Sequence, residues 1–419
     1  MAISPAAPPK RVVFLTFYYE AWDALAEIYK LMVTDPRFQV QVVAIDRRLT
    51  GEAEFGGVEA VSEFFEGLGI PHQVNANLTA LFGGLGPDYI FVNYPWQRNY
   101  APQYRPEVLA AIGRIVYVPY YSLPMTNEPA DGRGVASHLY TQRMHQLASL
   151  IFVQDKFVRD AYALTSRGAE HVHFVGSTKL DALIEGAEDY AASGALAVTP
   201  IRTLVWAPHH SYSPHWLNFG NFAGSCEAML GWAMQNPDVV VVLRPHPFLF
   251  GTLVDRGLMT QADLDDWLAR WNALANTRIE ADMSTARLFA AADFLLTDGI
   301  SYLAEWPLVK GKPGIFLEHP GHWDFSPIGE VAVKANVAIA TIGELSAAIA
   351  GIASGAESRT GQFYKAREIA ALHAAAMPFA GEVAERIVEI VAADNSELVD
   401  RSVITETAWE LQPGREPLD

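Results

Sequence analysis

Short apolar runs alternate with longer stretches in which apolar residues recur every three or four positions. Val12–Phe17 is a run with apolar residues on nearly every position, and it predicts a buried strand. Ala21–Val33 follows, with Leu25, Ile28, Leu31 and Met32 at helical spacing. Further strands fit Val40–Ile45, Tyr89–Asn93, Arg114–Pro119, Leu150–Val153 and His171–Val175. Helical patterns between them cover Val58–Leu68, Val135–Ala148 and Lys156–Thr165. Strands apolar on all positions are covered on both faces, which parallel sheets flanked by helices require. Leu180–Ala197 turns rich in Ala, Glu and Gly and reads as a closing helix and a linker.

The alternation then restarts. Thr203–Ala207, Val239–Leu243, Phe294–Thr297 and Gly314–Leu317 predict a second set of core strands. Helices fit Phe222–Met234, Ala262–Leu274, Thr285–Ala291, Ser301–Val309 and Ile342–Ile352, and two more fit Gln362–Ala374 and Gly381–Ala392. The expected fold class is therefore α/β, with two Rossmann-like, doubly wound domains. They are assigned to residues 11–195 and 200–360, followed by closing helices over 361–392 and a polar tail over 393–419. In such sheets ligands bind on the loops that follow the strands, so chemistry is sought there.

Composition narrows the field. The 419 residues include 30 basic and 48 acidic side chains, a formal charge of −18. A nucleic-acid partner is not expected from an acidic chain. The single cysteine, Cys226, excludes an internal disulfide and any cysteine-built metal cluster. Met1–Lys10 has no apolar signal core, and no run of about 18 apolar residues occurs. A soluble, cytoplasmic protein is expected.

The second half carries the sharpest candidates. Val239–Leu243 ends in Arg244-Pro245-His246-Pro247, where flanking prolines hold His246 on a stiff, non-helical loop. A cation and an imidazole after a buried strand suit a phosphate or diphosphate, although a surface turn with an incidental histidine has the same sequence. Phe294–Thr297 ends in Asp298-Gly299-Ile300-Ser301, just where a helix begins. Free N–H groups there, with the Thr297 and Ser301 hydroxyls, would form an anion site; the plainer role is helix capping. Two more strand ends, Pro208-His209-His210-Ser211 and Glu318-His319-Pro320-Gly321-His322, are rich in imidazole. Their spacing matches no metal motif, so His209 is assigned to nucleotide contact, Glu318 to ribose hydroxyls, and no metal or other cofactor is expected.

The first half lacks a G-x-G-x-x-G turn after its first strand, and no G-x-S-x-G elbow or Walker-type loop occurs anywhere. These absences argue against nicotinamide enzymes, serine hydrolases and P-loop enzymes. Asn93-Tyr94-Pro95-Trp96 and Tyr117-Val118-Pro119-Tyr120-Tyr121 follow strands, and could equally line an acceptor site or pack the interior.

Taken in order, Ala207-Pro208, Leu243-Arg244-Pro245-His246-Pro247, Leu296-Thr297-Asp298-Gly299-Ile300-Ser301, Leu303–Pro307 and Gly311-Lys312-Pro313 form a recognisable series. It resembles the CDP-glycerol glycerophosphotransferase family, the teichoic-acid polymerases and their relatives, most strongly over Arg202–His319. The resemblance implies a GT-B fold and a CDP-activated donor held by the second domain. It also implies transfer of glycerol phosphate or a related polyol phosphate to a hydroxyl of a cell-surface glycan or lipid precursor. Through such an acceptor the chain would touch the inner face of the membrane. The histidine matching His246 would assist the donor phosphates, and Thr297, Asp298 and Ser301 would lie against the diphosphate. The family's Asp-Tyr-Ser-Ser is Asp298-Gly299-Ile300-Ser301 here, and Tyr120-Tyr121-Ser122 stands where its Trp-His-Gly segment is found. A nucleotide-sugar-dependent GT-B glycosyltransferase is the alternative, and a non-catalytic two-domain binding protein the second.

Transfer to a hydroxyl needs a proton acceptor. Glu20, after the first strand and beside Tyr18, Tyr19 and Trp22, is the candidate base. The competing role is favourable interaction with the following helix start. Asp23, Glu128 and His138 are rivals.

Overall fold

A strand covered on both faces has no polar side to spend. Val12, Val13 and Phe14 are fully buried in this computed structural model, as are Ile90, Phe91 and Val92. The structure describes residues 8–48, 54–128, 138–194, 202–281, 283–358 and 363–400. Thirteen strands are found among them: β1 Lys10–Thr16, β2 Phe38–Ala44, β3 Gln73–Val74, β4 Tyr89–Val92, β5 Arg114–Tyr117, β6 Ala148–Val153 and β7 Val172–Phe174, then β8 Arg202–Ala207, β9 Val239–Leu243, β10 Thr277–Ile279, β11 Phe294–Thr297, β12 Ile315–Leu317 and β13 Val337–Ile339. They form two sheets, in the orders β3-β2-β1-β4-β5-β6-β7 and β10-β9-β8-β11-β12-β13. Every pairing is parallel. The doubly wound reading of both halves holds.

The chain divides into two compact units. The first is built from described parts of Met1–Ser122, Ala130–Ala182 and Phe379–Glu416, the second from Leu123–Pro129 and Leu183–Pro378. In the first unit Phe14, Trp22, Phe65 and Phe91 form the core, and Val383, Ile387 and Val391 of the helix Val383–Ala393 pack into it. The other closing helix, Ala366–Ala376, packs within the second unit against Tyr302–Lys310 and Pro327–Lys334. Two neighbouring helices thus serve different cores. The second core is dominated by indoles: Trp206 stacks on Phe222 at 5.2 Å, and Trp267 on Trp271 at 5.1 Å.

Local departures from the predicted elements have clear causes. The pattern missed β3, β10 and β13, short strands at or near sheet edges whose burial alternates or fails. The helix expected over Val135–Ala148 does not form as one element. Residues 135–137 lie outside the described residues; beyond them come a 3₁₀ turn at His138–Tyr140 and a short helix at Arg143–Leu147. Ala148 is already in β6, pairing with Ile115 of β5 across an irregular register. Sheet pairing outcompetes the last helical turn there. Of the polar tail, Asp394 and Ser396 are tied down: the Tyr89 hydroxyl donates to an Asp394 carboxylate oxygen at 2.8 Å, and Arg114 donates to the Ser396 carbonyl at 2.5 Å. The tail beyond residue 400 lies outside the described residues.

Candidate functional site

The second sheet reverses its winding between β8 and β11, which are neighbours in space but not in sequence. Strand ends that diverge to opposite sides leave a crevice at such a switch point. Register brings the predicted loops side by side, because Trp206 pairs with Leu243 and Ala207 with Thr297. Backbone bonds continue beyond the strands, Arg244 N–H donating to the Trp206 carbonyl at 2.8 Å and His246 N–H to that of Pro208 at 3.3 Å.

Three imidazoles meet there. His210 stacks on His246 with ring centres 3.9 Å apart, and His209 lies 4.6 Å from His210 and 5.4 Å from His246. Burial holds all three below the usual histidine range; His210 is lowered to about 4, with Arg256 nearby adding to the effect. All are therefore neutral near pH 7. Neutral imidazole has one donor and one acceptor nitrogen, and the backbone assigns them. The Ser211 N–H donates to His209 Nδ1 at 3.2 Å, and the Ser211 hydroxyl lies 2.8 Å from the same nitrogen. The Phe248 N–H donates to His246 Nδ1 at 3.2 Å. In both rings the proton must then sit on Nε2. His210 Nδ1 is buried without a hydrogen-bond partner among the described residues.

This pattern decides between a cation and an anion. A ring nitrogen from each of the three histidines lies within 4.8 Å of the others, close enough to share a metal ion. A metal needs lone pairs, however, and the nitrogens left open on His209 and His246 carry protons. The donor set fits an oxyanion. The helix Tyr302–Lys310 begins beside it at Ser301, whose side chain makes no capping bond to the first-turn amides.

Asp298 and Thr297 hold this arrangement together. The two Asp298 carboxylate oxygens accept the His209 N–H at 2.5 Å and the Asn221 N–H at 2.6 Å. Burial raises the Asp298 carboxyl to about 7, against the lowering effect of those bonds. The Thr297 hydroxyl donates to the Ala207 carbonyl at 2.8 Å and accepts the Gly299 N–H at 3.0 Å. Gly299 lies so close that a Cβ there would stand 2.9 Å from the His209 Cβ. Close backbone approach, and not an unusual backbone angle, is the reason for this glycine. Both side chains in the Thr-Asp segment thus bond to backbone.

The remaining predicted residues are placed as follows. One Arg244 nitrogen donates to the Glu280 carbonyl at 3.1 Å. Glu318 is exposed at the end of β12. In the first unit Glu20 lies in the 3₁₀ turn after β1, exposed, and both its oxygens accept from Arg47 Nη1, at 2.8 and 2.9 Å. Its rival Asp23 faces Lys179 at 3.5 Å, and the side chain of His138 lies outside the described set. His210, Ser211 and Asn221 were not assigned site roles from sequence. The doubled histidine was a visible signal for the first; the other two act through loop closure, which leaves no pattern in sequence.

No family model matches the chain, and no curated protein matches it either. Solved structures do. UDP-GlcNAc 2-epimerase from Neisseria meningitidis bound to UDP-GlcNAc is similar over 92% of this chain and 100% of its own, with TM-score 0.59 and 14% identity. A putative UDP-N-acetylglucosamine 2-epimerase from Listeria monocytogenes gives 0.58 and 13%, over 94% and 99%. The wall teichoic acid polymerase TagF gives 0.55 and 13%, over 92% of this chain and 88% of its own. Identities this low establish the fold, and the fold is GT-B: two Rossmann-like α/β domains in tandem.

Proposed function

We propose that this chain is an enzyme that uses a nucleoside-diphosphate-activated sugar and transfers the sugar to a hydroxyl acceptor. One observation carries the reading: at the switch point of the second sheet, two neutral imidazoles hold Nε2–H donors beside an uncapped helix start. Such groups match the oxygens of a diphosphate. When the sugar bond breaks, negative charge grows on the departing nucleotide, and donors already in place stabilise it without reorganisation. His209 and His246 donate through Nε2, and Arg244 supplies positive charge. Asp298 and Thr297 position these loops, and Glu318 is proposed to receive ribose hydroxyls. Glu20 is proposed to accept the acceptor's proton after leaving Arg47. Similarity to proteins whose structures were solved with UDP-GlcNAc or UDP supports an activated-sugar ligand.

A second reading is favoured by the ordered motif series and by the similarity to TagF. It is glycerophosphate transfer from CDP-glycerol. The nucleotide product separates the two. Sugar transfer releases the nucleoside diphosphate, whereas glycerophosphate transfer from CDP-glycerol releases CMP. Incubation with UDP-GlcNAc, UDP-glucose and CDP-glycerol, followed by nucleotide chromatography, is expected to show UDP. His246→Ala should lower its release by about two orders of magnitude with the fold retained. Binding of UDP with no nucleotide released from any donor would leave a ligand-binding protein and refute the enzyme reading.

A further inference from the structure

The first sheet has its own switch point, between β1 and β4, and its chemistry is unlike that of the second. Tyr18 follows β1, Tyr94 follows β4, and Tyr120 and Tyr121 follow β5. Their rings gather at one edge: Tyr18 and Tyr94 lie 4.8 Å apart, Tyr94 and Tyr120 5.1 Å, Tyr18 and Tyr120 5.6 Å, and Tyr120 and Tyr121 5.5 Å. Tyr18, Tyr120 and Tyr121 keep part of their surface exposed.

Three interior tyrosines of the same unit place their hydroxyls on protein: Tyr100 donates to the Tyr94 carbonyl at 2.7 Å, Tyr104 to that of Ala76 at 2.9 Å, and Tyr89 to Asp394. At the edge, the Tyr120 hydroxyl accepts from the Trp96 indole N–H. No hydrogen bond joins the hydroxyls of Tyr18, Tyr94 or Tyr121 to a described residue. A phenol with no protein partner at a sheet's ligand edge is free to bond another molecule. Burial raises the pKa of all four phenols, so each keeps its proton and can donate.

Charge restricts that molecule further. Four of the ionic groups beside these rings face one another, Glu20 with Arg47 at 2.8 Å and Asp23 with Lys179 at 3.5 Å, and Arg98 lies near Tyr94. The aromatic faces offer apolar contact, and the rim offers hydroxyl donors. That combination fits a ring with C–H faces and hydroxyls at its edge. We propose that this edge binds an uncharged sugar ring, a hexose or N-acetylhexosamine, stacked on Tyr18 and Tyr120 with its hydroxyls bonded to Tyr18, Tyr94 and Tyr121. This names the acceptor-side substrate class of the activity proposed above and rests on that reading for its role in transfer.

Saturation-transfer NMR with methyl β-N-acetylglucosaminide, methyl α-glucopyranoside and glycerol tests it, with and without UDP. The ring C–H protons of at least one glycoside should receive saturation from the protein. Tyr18→Phe, which keeps the ring, should weaken that glycoside about twofold to tenfold, the scale of one hydrogen bond. Tyr18→Ala should abolish the signal while UDP affinity stays unchanged. If no glycoside receives saturation, or if both Tyr18 variants bind as the wild type does, the proposal is overturned. Glycoside binding that survives while UDP fails to bind would uphold the sugar site and sink the donor reading instead.

Discussion

Adding one methyl group at Gly299 tests whether the Asp298–Ser301 loop and His209 are a single construction. The Cβ of Gly299→Ala would stand 2.9 Å from the His209 Cβ and 3.2 Å from its Cδ2. Carbon atoms in contact prefer about 3.5–4.0 Å, so one partner must move by about 0.6–1.1 Å. His209 has little room to yield. Its N–H is held by Asp298 and its Nδ1 by Ser211. Overpacking of this kind costs about 1–3 kcal/mol. Displacement of a donor by about 1 Å can cost on the order of a hundredfold in rate. Urea denaturation and UDP titration of wild type and variant would measure both effects. We expect lower stability and clearly weaker UDP binding or turnover. Wild-type stability together with wild-type UDP affinity would refute the packing argument.

Three further outcomes follow from the same geometry. Asp298→Asn keeps the shape but turns one acceptor into a donor facing a backbone N–H, so about 1–3 kcal/mol should be lost and UDP binding weakened; unchanged melting and binding would remove the carboxylate from loop positioning. His210 is held near 4 against an ordinary value of 6.5. The unfolded chain therefore takes up a proton that the folded one refuses, and stability present above pH 6.5 should fall as pH drops towards 4, by about 3 kcal/mol from this group. His210→Gln should flatten that part of the denaturation profile, and an identical slope in the variant would contradict the argument. Glu20→Gln breaks the carboxylate's hold on Arg47; a base role predicts at least about a hundredfold loss of turnover with donor affinity kept, whereas full turnover would leave Glu20 as Arg47's partner only.

What could be read without a structure was what depends on local pattern. Continuous apolar runs such as Val239–Leu243, alternating with helical patterns, suit strands covered on both faces in a parallel sheet, so the two doubly wound units and the strand ends that bear Arg244, His246 and Asp298 were legible. Edge strands such as β10 and β13 were not, because a half-covered three-residue strand needs no distinctive composition. The roles within the site were decided by the tertiary fold. Asp298 is written in sequence as an acid beside an anion site, yet both its oxygens are taken by the amides of His209 and Asn221, which are 89 and 77 residues away in the chain. A histidine looks the same in sequence whether it donates or accepts. Only the amides of Ser211 and Phe248, aimed at Nδ1 by their loops, place the protons of His209 and His246 on the other nitrogen. Composition and spacing set which chemical groups reach the edge of a sheet. Which of their atoms remain free for a ligand depends on hydrogen bonds made across the fold.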